Sequence, residues 1–590
     1  MVSLVTLRRC AGWTALALAG LACPVTAQAQ QGSLVAQWQD DARRDAAIAA
    51  VLSADDRAHY RQLFAAIDAE QWSLVEELLA KQPDGVLTQA ARAEYYTHAK
   101  SPKVAPEQIA AWFEAGVELP QAEQLVRMGE KRGLSALPLL PEGQGFARQP
   151  YAPKRILPRP VSDGTMPGAT AAAILEAIKA DNPTEAQRLL AEADAFLTSD
   201  ARAEWRQRVA WSHYIENNDT AALELARTVV EGSGEWVAEG AWVEGLAAWR
   251  LGYCSLAAEA FANTASRAAN VELAAAGHYW AHRALVRCRE PGRAQSHLDA
   301  AAAMDETLYG MLAADQLGIE LPAHAPAQPF APDDWATLAS RSNVRVAVAL
   351  TEIGRTGLAD EVLRHEARIG PSYQFDALAR LARELGLPGT QLFMAHNAPY
   401  GTRSDPSLRF PVARWQPVNG WQVDPALAFA HALQESNFRT NAVSPAEAKG
   451  LMQITPITVR QHAPTLNMSA AYVNLSDPEV NLAFGQRNLE MLRDSAATGG
   501  TLPKIMAAYN AGLTPVARWN SEINDQNDPL LWMESIPYWE TRGYVAIVMR
   551  NYWMYERAAG VASPSRRALA QGLWPEFPQA RNLRSARLGQ

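Results

Sequence analysis

The sequence predicts an all-α protein, and three observations support this prediction. From about residue 33 to residue 400 the chain is rich in Ala, Leu and Glu. Apolar residues in this region recur at helical spacing, as they do in amphipathic helices that bury one face. No stretch with the alternating pattern of a half-buried β-strand has convincing length. Stacked helical hairpins, an α-solenoid, account for all three observations.

The periodicity also predicts individual helices. They cover residues 35–50, 57–79, 171–190, 221–230, 242–251 and 256–267. Within the third, Asp181-Asn-Pro183 is expected to divide the run into two helices, the second beginning at Pro183. Gly232-Ser-Gly234 and Glu290-Pro-Gly292 mark further breaks. The Pro-rich stretch 137–168 is predicted to be an ordered crossing or linker rather than a helix.

The N-terminus has the pattern of a secretory signal peptide over residues 1–29. Arg8 and Arg9 precede a short apolar segment, residues 11–21, and Ala27-Gln-Ala29 offers a cleavage site. The apolar segment is too short to span a bilayer well, so export is favoured over a retained anchor. Lipidation at Cys23 and a twin-arginine signal are weaker alternatives, because the residues around each motif fit poorly.

Charge and cysteine content restrict the class of protein. Loss of Arg8 and Arg9 with the signal lowers the formal net charge from −9 to −11, which argues against a nucleic-acid-binding surface. The remaining cysteines, Cys254 and Cys288, lie 34 residues apart, about one helical hairpin. In an exported chain they could form a disulfide, although two buried thiols are nearly as consistent with the sequence.

Glu435 is the most informative residue. It ends the apolar helical run in His431-Ala-Leu-Gln-Glu-Ser-Asn-Phe438, in a helix predicted to begin at Asp424-Pro425. A carboxyl group held against apolar side chains resists ionisation and can donate a proton near neutral pH. Three further segments follow. They are Gly450-Leu-Met-Gln-Ile-Thr-Pro456, Ala508-Tyr-Asn-Ala-Gly512 and Glu534-Ser-Ile-Pro-Tyr-Trp-Glu-Thr-Arg-Gly-Tyr-Val545.

These four segments, in this order, resemble those of the soluble lytic murein transglycosylases, which are relatives of goose-type lysozyme. The resemblance covers about the last 180 residues. It extends more weakly to Tyr279-Trp-Ala-His-Arg-Ala284 and Leu308-Tyr-Gly-Met-Leu-Ala-Ala314, which resemble segments of the family's large helical domain. It implies a ring-like α-superhelical domain over residues 30–330, a helical linker domain over 331–403 and a lysozyme-like, α-rich catalytic domain over 404–590.

The resemblance also implies roles for individual residues. Glu435 would be the catalytic acid and then the base. Ser444, Gly450, Met452, Gln453, Tyr509 and Glu540 would bind the substrate. Glu540 would contact a sugar or peptide group or orient Tyr509. His431 is interpreted as a packed or partly exposed histidine, Ser436 as support for the helix end, and Arg542 as equally consistent with a structural role.

The implied reaction cleaves the MurNAc-β-1,4-GlcNAc bond of peptidoglycan without water and leaves 1,6-anhydroMurNAc ends. Ordinary glycosidases use two carboxylates, whereas only Glu435 is supported by a motif here. The partner would be peptidoglycan glycan strands in the periplasm, acted on by a monomer, with no nucleic acid and no metal or other cofactor. Peripheral association with the outer membrane stays open.

The sequence departs from the family pattern at two positions. Glu447 occupies a position that is commonly Gly, and Thr455 one that is often apolar; both affect the expected substrate preference.

Two alternative functions are consistent with the same residues. A lysozyme-type hydrolase of the same fold is the first alternative, since another carboxylate could position a water. A wall-binding scaffold with a vestigial catalytic domain is the second, and the intact Glu435, Gln453 and Tyr509 argue against it.

Overall fold

The computed structural model describes residue 48, residues 50–321 and residues 328–578. Helices make up most of this part of the chain, and its one sheet has two strands of three residues each. The all-α prediction is confirmed. The predicted signal peptide and nearly all of the predicted helix 35–50 lie outside the described residues.

Five helices come first among the described residues: α1 Ala54–Asp68, α2 Trp72–Lys81, α3 Thr88–Thr97, α4 Pro106–Glu114 and α5 Ala122–Lys131. The sequence predicted a single helix over 57–79, and this was wrong. The chain turns between α1 and α2 at Glu70, whose φ is +58°. The turn lets Phe64 of α1 and Val75 of α2 enter the same core, which one straight helix could not do.

Helices α6–α14 follow a long connection. They are α6 Gly168–Lys179, α7 Pro183–Ala193, α8 Ser199–Ile215, α9 Asp219–Arg227, α10 Trp236–Arg250, α11 Cys254–Arg267, α12 Val271–Arg287, α13 Pro291–Ala302 and α14 Leu308–Gln316. The predicted split at Pro183 is confirmed, with the Asn182 side chain capping α7. Cys254 and Cys288 form a disulfide between the start of α11 and the end of α12.

The Pro-rich stretch, here called the crossing segment (residues 137–167), contains no helix, as predicted. Its strand β1, Phe146–Arg148, pairs antiparallel with β2, Asn397–Pro399. Further on, its backbone is bonded to the helices α10 and α12. The carbonyl of Lys154 accepts from Asn270 at 2.8 Å, and that of Arg159 accepts from the Trp236 indole at 3.0 Å. The segment is therefore an ordered connection.

Five helices lie between residues 332 and 396: α15 Pro332–Leu338, α16 Ser342–Glu352, α17 Thr356–Ile369, α18 Phe375–Glu384 and α19 Pro388–His396. The C-terminal part contains α20 Pro425–Ser436, α21 Pro456–His462, α22 Pro478–Arg493, α23 Leu502–Ala511, α24 Leu513–Glu522, α25 Pro529–Glu534, α26 Trp539–Ala558 and α27 Pro564–Ala570. In the part of the chain that is described, no helix combines the length and the apolar character that a membrane crossing requires.

Two large hydrophobic cores hold these helices together, and neither follows the order of the chain. One core joins α1–α5 to α15–α19. The other joins α8–α14 to the C-terminal helices α20–α27, with Trp242, Trp280 and Trp553 fully buried in it. The α20–α27 helices therefore rest directly on the helical repeats. The domain boundaries near residues 330 and 403 remain a prediction.

Candidate active site

Helix α20 presents Glu435 in its last turn. The helix begins as predicted, with the Asp424 carboxylate accepting from the N–H of Ala426 at 2.9 Å and Pro425 in the first position. Its body is buried from Ala426 to Ala432. After Ser436 the chain takes two left-handed residues, Asn437 at φ +50° and Phe438 at φ +59°. The buried ring of Phe438 packs against Phe429 and fixes the end of the helix.

The carboxyl group of Glu435 is held in a protonation state suited to acid catalysis. Burial raises its pKa to about 7, and the negative charge of Glu540 contributes in the same direction. A hydrogen bond from the Tyr544 hydroxyl to Oε1, 2.7 Å long, opposes this shift. The side chain is nevertheless only partly covered, so a ligand can reach it. Near neutral pH this group can both donate and accept a proton.

His431, in the core, contacts the Tyr544 hydroxyl that donates to Glu435. It is fully buried, and its Nδ1 lies 2.7 Å from the Tyr544 hydroxyl oxygen. Because that hydroxyl donates to Glu435, its oxygen accepts from Nδ1–H, which fixes the neutral tautomer. Burial lowers the pKa of His431 to about 3, and its Nε2, the acceptor nitrogen of this tautomer, has no hydrogen-bond partner among the described residues. The interpretation as a packed histidine is confirmed, and its contact with Tyr544 is an addition.

The segment after α20 forms a tight loop through two isolated bridges, Val443 with Lys449 and Lys449 with Ile454. The Ser444 hydroxyl accepts from the N–H of Ala448 at 3.1 Å. Gly450 has φ +75°, and a Cβ there would lie 2.1 Å from Asn481 Nδ2. The resemblance implied that Gly450 binds the substrate. The structure gives a reason for glycine at this position, which is contact with the neighbouring helix α22.

Met452, Gln453 and Tyr509 are joined by hydrogen bonds around this loop. The backbone N–H of Met452 donates to Asn481 at 2.9 Å, and its carbonyl accepts from the Tyr509 hydroxyl at 2.8 Å. Gln453 has left-handed backbone, φ +48°, and its amide nitrogen donates to the carbonyl of Gly450 at 2.9 Å. The ring of Tyr509 lies 4.6 Å from that of His431. The loop and the Glu435 helix are thus linked through Tyr509.

Residues around the start of α26 complete the site. Glu540 is exposed in its first turn and acts on Glu435 through its charge. Its suggested alternative role, orienting Tyr509, has no support, because that hydroxyl donates to Met452. Asn510 accepts from Thr541 at 2.7 Å and so joins α23 to α26. The Arg542 guanidinium lies 4.0 Å from the centre of the Trp211 ring, a packing contact.

Tyr544 is the functional residue that the sequence reasoning missed, although it lies within a quoted segment. It follows Glu540 by four residues, so both lie on one face of α26. That spacing could have indicated a second side chain directed to the same carboxyl group. What could not be read from the sequence is that this face meets the end of α20, 109 residues earlier.

We expect Tyr544→Phe to raise the pKa of Glu435 by about one unit, to above 7, because a hydrogen bond to the carboxylate favours its charged form. The measurement is an NMR titration of ¹³C-labelled Glu carboxyl carbons, with the Glu435 signal identified by its absence in Glu435→Gln. Tyr373→Phe, at an exposed and distant tyrosine, is the control. An unchanged or lower pKa in Tyr544→Phe would contradict the assigned direction of the hydrogen bond.

Glu447 occupies a left-handed position, with φ +59°. A side chain there is strained by ~1 kcal/mol, and glycine is not. We expect Glu447→Gly to increase the free energy of unfolding by up to ~1 kcal/mol, measured by denaturant titration. Ala446→Gly, next to it and without positive φ, is the matched control and should lower stability by ~0.5–1 kcal/mol. Equal losses in both variants would show that φ does not decide the effect.

The part of the chain that contains Glu435 is similar to known proteins. Residues 416–531 match the family model described as Transglycosylase SLT domain. The soluble lytic murein transglycosylase of Escherichia coli K12 is 34% identical over 135 residues, 22% of this chain and 20% of that protein. The Salmonella typhimurium protein of the same name is 32% identical over 145 residues, 24% of this chain and 22% of that protein. The alignments span less than half the length of the curated relatives they match.

Solved structures extend the likeness to the whole fold. The 70 kDa soluble lytic transglycosylase of E. coli matches 89% of this chain and 100% of its own, with a TM-score of 0.50 and 18% identity. A complex of the 70 kDa soluble lytic transglycosylase with bulgecin A matches the same shares with a TM-score of 0.52 and 18% identity. At this identity the likeness is one of fold.

Proposed function

We propose that this chain, whose residues 416–531 belong to the transglycosylase SLT domain family, is a peptidoglycan lytic transglycosylase. It would cleave the MurNAc-β-1,4-GlcNAc bond without water. The observation that carries the proposal is the carboxyl group of Glu435, partly buried at the end of α20 with its pKa raised to about 7. The resemblance of all four motif segments supports the substrate.

The proposed reaction uses Glu435 twice. Its protonated carboxyl donates a proton to the glycosidic oxygen as the bond to carbon 1 of MurNAc breaks. The N-acetyl oxygen of the same sugar then bonds to carbon 1, giving an oxazolinium-like intermediate. Next, the carboxylate of Glu435 takes the proton of the 6-hydroxyl, whose oxygen attacks carbon 1 and displaces the acetamide. The products are a GlcNAc end and a 1,6-anhydroMurNAc end, and no water is consumed.

The surrounding residues are proposed to hold the sugar rather than to react. Ser444 and Gln453 lie in the loop that Tyr509 links to the Glu435 helix, and they would offer hydroxyl and amide groups to the acetamide. Gly450 and Met452 shape the loop, with Tyr509 fixing the Met452 carbonyl at 2.8 Å. Glu540, exposed near Glu435, would contact a sugar or peptide group and helps to keep Glu435 protonated.

The proposed setting follows from the same sequence features. A cleaved signal peptide over residues 1–29 would deliver the chain to the periplasm, where its substrate lies. We expect it to act there as a monomer on glycan strands. Peripheral attachment to the outer membrane stays a prediction. Lipidation at Cys23 would provide it only if the signal were cleaved before Cys23 instead of after Ala29, and comparing Cys23→Ser with the native chain in fractionated cells tests this alternative.

Mass spectrometry of the products tests the proposed reaction. Residues 30–590 are incubated with purified sacculi, and the soluble muropeptides are analysed, with a Glu435→Gln preparation as the control. We expect fragments that end in anhydromuramic acid, one water lighter than the reducing form. Reducing muramic ends would instead identify a hydrolase. Absence of release, with the protein still sedimenting with sacculi, would identify a wall-binding scaffold.

A further inference from the structure

A second cleft, here called the arginine cleft, lies outside the site around Glu435. Its volume is about 830 Å³, and its walls come from the N-terminal helices, the crossing segment, α17 and α19. Leu119, Leu140 and Phe393 supply apolar surface, whereas Arg364, Arg368 and Arg439 supply positive charge. Glu435, Tyr509 and Tyr544 do not line it. A cleft of this size suits a ligand of oligopeptide dimensions.

The α17 arginines of this cleft form few ion pairs with carboxylates. Arg364 and Arg368 lie one turn apart on α17, and Arg364 is 4.0 Å from Asp360, the outer limit of an ion pair. Among the described residues no carboxylate pairs with Arg368, whose guanidinium lies 4.9 Å from the centre of the Phe393 ring. Partial burial and the charge of Arg364 lower the pKa of Arg368. Two neighbouring guanidinium groups, of which only Arg364 has an ion-pair partner among the described residues, favour an anionic ligand.

Two acidic residues also line the cleft, against three arginines, and the charge of one of them, Glu123, reaches His365 in the lining. Glu123 lies 2.5 Å from the guanidinium of Arg127 on its own helix. Within the described part of the chain, Glu361 forms no ion pair with Arg364 or Arg368. The cleft is therefore a positive site in a chain whose net charge is −9. Acidic surfaces elsewhere on the protein would repel a negatively charged ligand, and this repulsion would direct the ligand to the arginine cleft.

The arginine cleft reaches the end of the helix that carries Glu435. Asn437 and Arg439 both line it, and Arg439 Nε donates to the carbonyl of Ser436 at 3.1 Å. A ligand that contacts these residues adjoins the left-handed turn at Asn437, two residues after Glu435. A fragment of the proposed substrate is thus a chemically reasonable occupant, because its stem peptide carries free carboxylates and aliphatic side chains.

We propose that the arginine cleft binds the carboxylate end of a peptide, with Arg364 and Arg368 contacting the carboxylate and the apolar wall contacting its side chains. The identification of that peptide as the stem of a wall fragment rests on the proposed function. Bidentate contacts from guanidinium groups suit a planar carboxylate. Two positive charges also favour a peptide with more than one carboxylate.

Calorimetric titration tests this proposal without any turnover. Mature Glu435→Gln protein is titrated with the synthetic stem tetrapeptide, with its C-terminal carboxamide and with succinate. We expect the tetrapeptide to bind and the carboxamide to bind at least tenfold more weakly, because the amide loses the charge and one of the two acceptor oxygens that the guanidinium groups contact. If the carboxamide bound as tightly as the tetrapeptide, the proposed carboxylate contact would be overturned. If succinate bound as tightly as the tetrapeptide, the proposal that the ligand is a peptide would be overturned.

Substitutions of the cleft arginines test where the tetrapeptide binds. Added to that background, Arg364→Gln with Arg368→Gln should weaken tetrapeptide binding at least tenfold, whereas Arg345→Gln, at an exposed arginine of α16 outside the cleft, should not change it. If the double variant loses its helical circular dichroism, Arg368→Gln alone replaces it. Unchanged affinity in folded variants would overturn the site. Digestion of sacculi by otherwise native protein is measured separately, so failure of the proposed function is recognised independently.

Discussion

Replacing Glu435 by glutamine is expected to lower the rate of muropeptide release from sacculi by about 10²- to 10⁴-fold, the usual contribution of a positioned general acid. Glutamine keeps the size of the side chain and can still accept from Tyr544, but it has no proton to donate to a leaving oxygen. The measurement is the initial rate of soluble muropeptide release. Glu479→Gln, the same change at an exposed position of α22, is the matched control and should keep the native rate.

The stability of the same variant separates lost chemistry from lost folding. The pKa of Glu435 is raised from 4.5 in the unfolded chain to about 7 in the folded one. The folded state therefore binds this proton more tightly, and stability is lost as the pH rises from 4.5 through 7. Glu435→Gln should be more stable than the native chain at pH 8 and nearly equal to it at pH 4. A variant less stable at both pH values would mean that Glu435 has a structural role.

The activity of the native protein should also depend on whether Glu435 is protonated. The first step needs Glu435 protonated, so the rate should fall as the pH rises above about 7. Initial rates of muropeptide release between pH 5 and 9 provide the test, with helical circular dichroism followed in parallel. A rate that continued to rise through pH 9 would contradict a protonated Glu435 as the donor.

The residues near Glu435 show which features of a site a sequence can predict. Helix α20 was predicted from local signals: the cap at Asp424, the proline after it and a continuous apolar run. Its burial followed from that run, and with it the raised pKa of Glu435. These inferences succeed because cause and effect lie within a few helical turns. The same holds for Pro183, where the break and its cap at Asn182 are adjacent.

Contacts between distant segments could not be predicted in this way. Tyr544 meets Glu435 only because α26 packs against α20, and Gly450 needs its lack of a side chain because Asn481 lies against it. The turn at Glu70 had no proline or glycine to mark it. Likewise, the chain order gave no indication that α1–α5 share a core with α15–α19. Each of these depends on tertiary packing, which overrides local propensity.

The crossing segment contains a residue, Arg155, whose loss should strongly destabilise the protein. Arg155 donates to Glu534 and to Glu239, each at 3.0 Å, and its guanidinium lies 4.8 Å from the centre of the Trp242 ring. The two glutamate side chains are 10% and 3% exposed. Burial acts to lower the pKa of Arg155, but the two carboxylates outweigh it and the pKa is raised. One arginine therefore compensates two buried charges from α10 and α25.

We expect Arg155→Met to lower the free energy of unfolding by ~3–5 kcal/mol, because it breaks the ion pairs of two buried carboxylates and leaves them only the more distant charge of Arg542. Denaturant titration followed by circular dichroism measures the loss, and proteolysis within residues 137–167 should become faster. Arg159→Met, an exposed arginine of the same segment, is the matched control, with an expected change within ~0.5 kcal/mol. Equal stability of the two variants would contradict a role for the Arg155 ion pairs.

Neutralising the partners distinguishes the lost ion pairs from lost packing. If the stranded charges cause the loss, adding Glu239→Gln and Glu534→Gln to Arg155→Met should recover much of it, since replacing a whole buried ion cluster is far less costly than breaking it. Recovery will be incomplete, because methionine does not restore the contact of the guanidinium with the Trp242 ring. No recovery would assign the effect to packing against Trp242. Because Glu534 ends the helix before α26, which carries Tyr544 and Glu540, the same ion pairs connect the crossing segment to the elements that support Glu435.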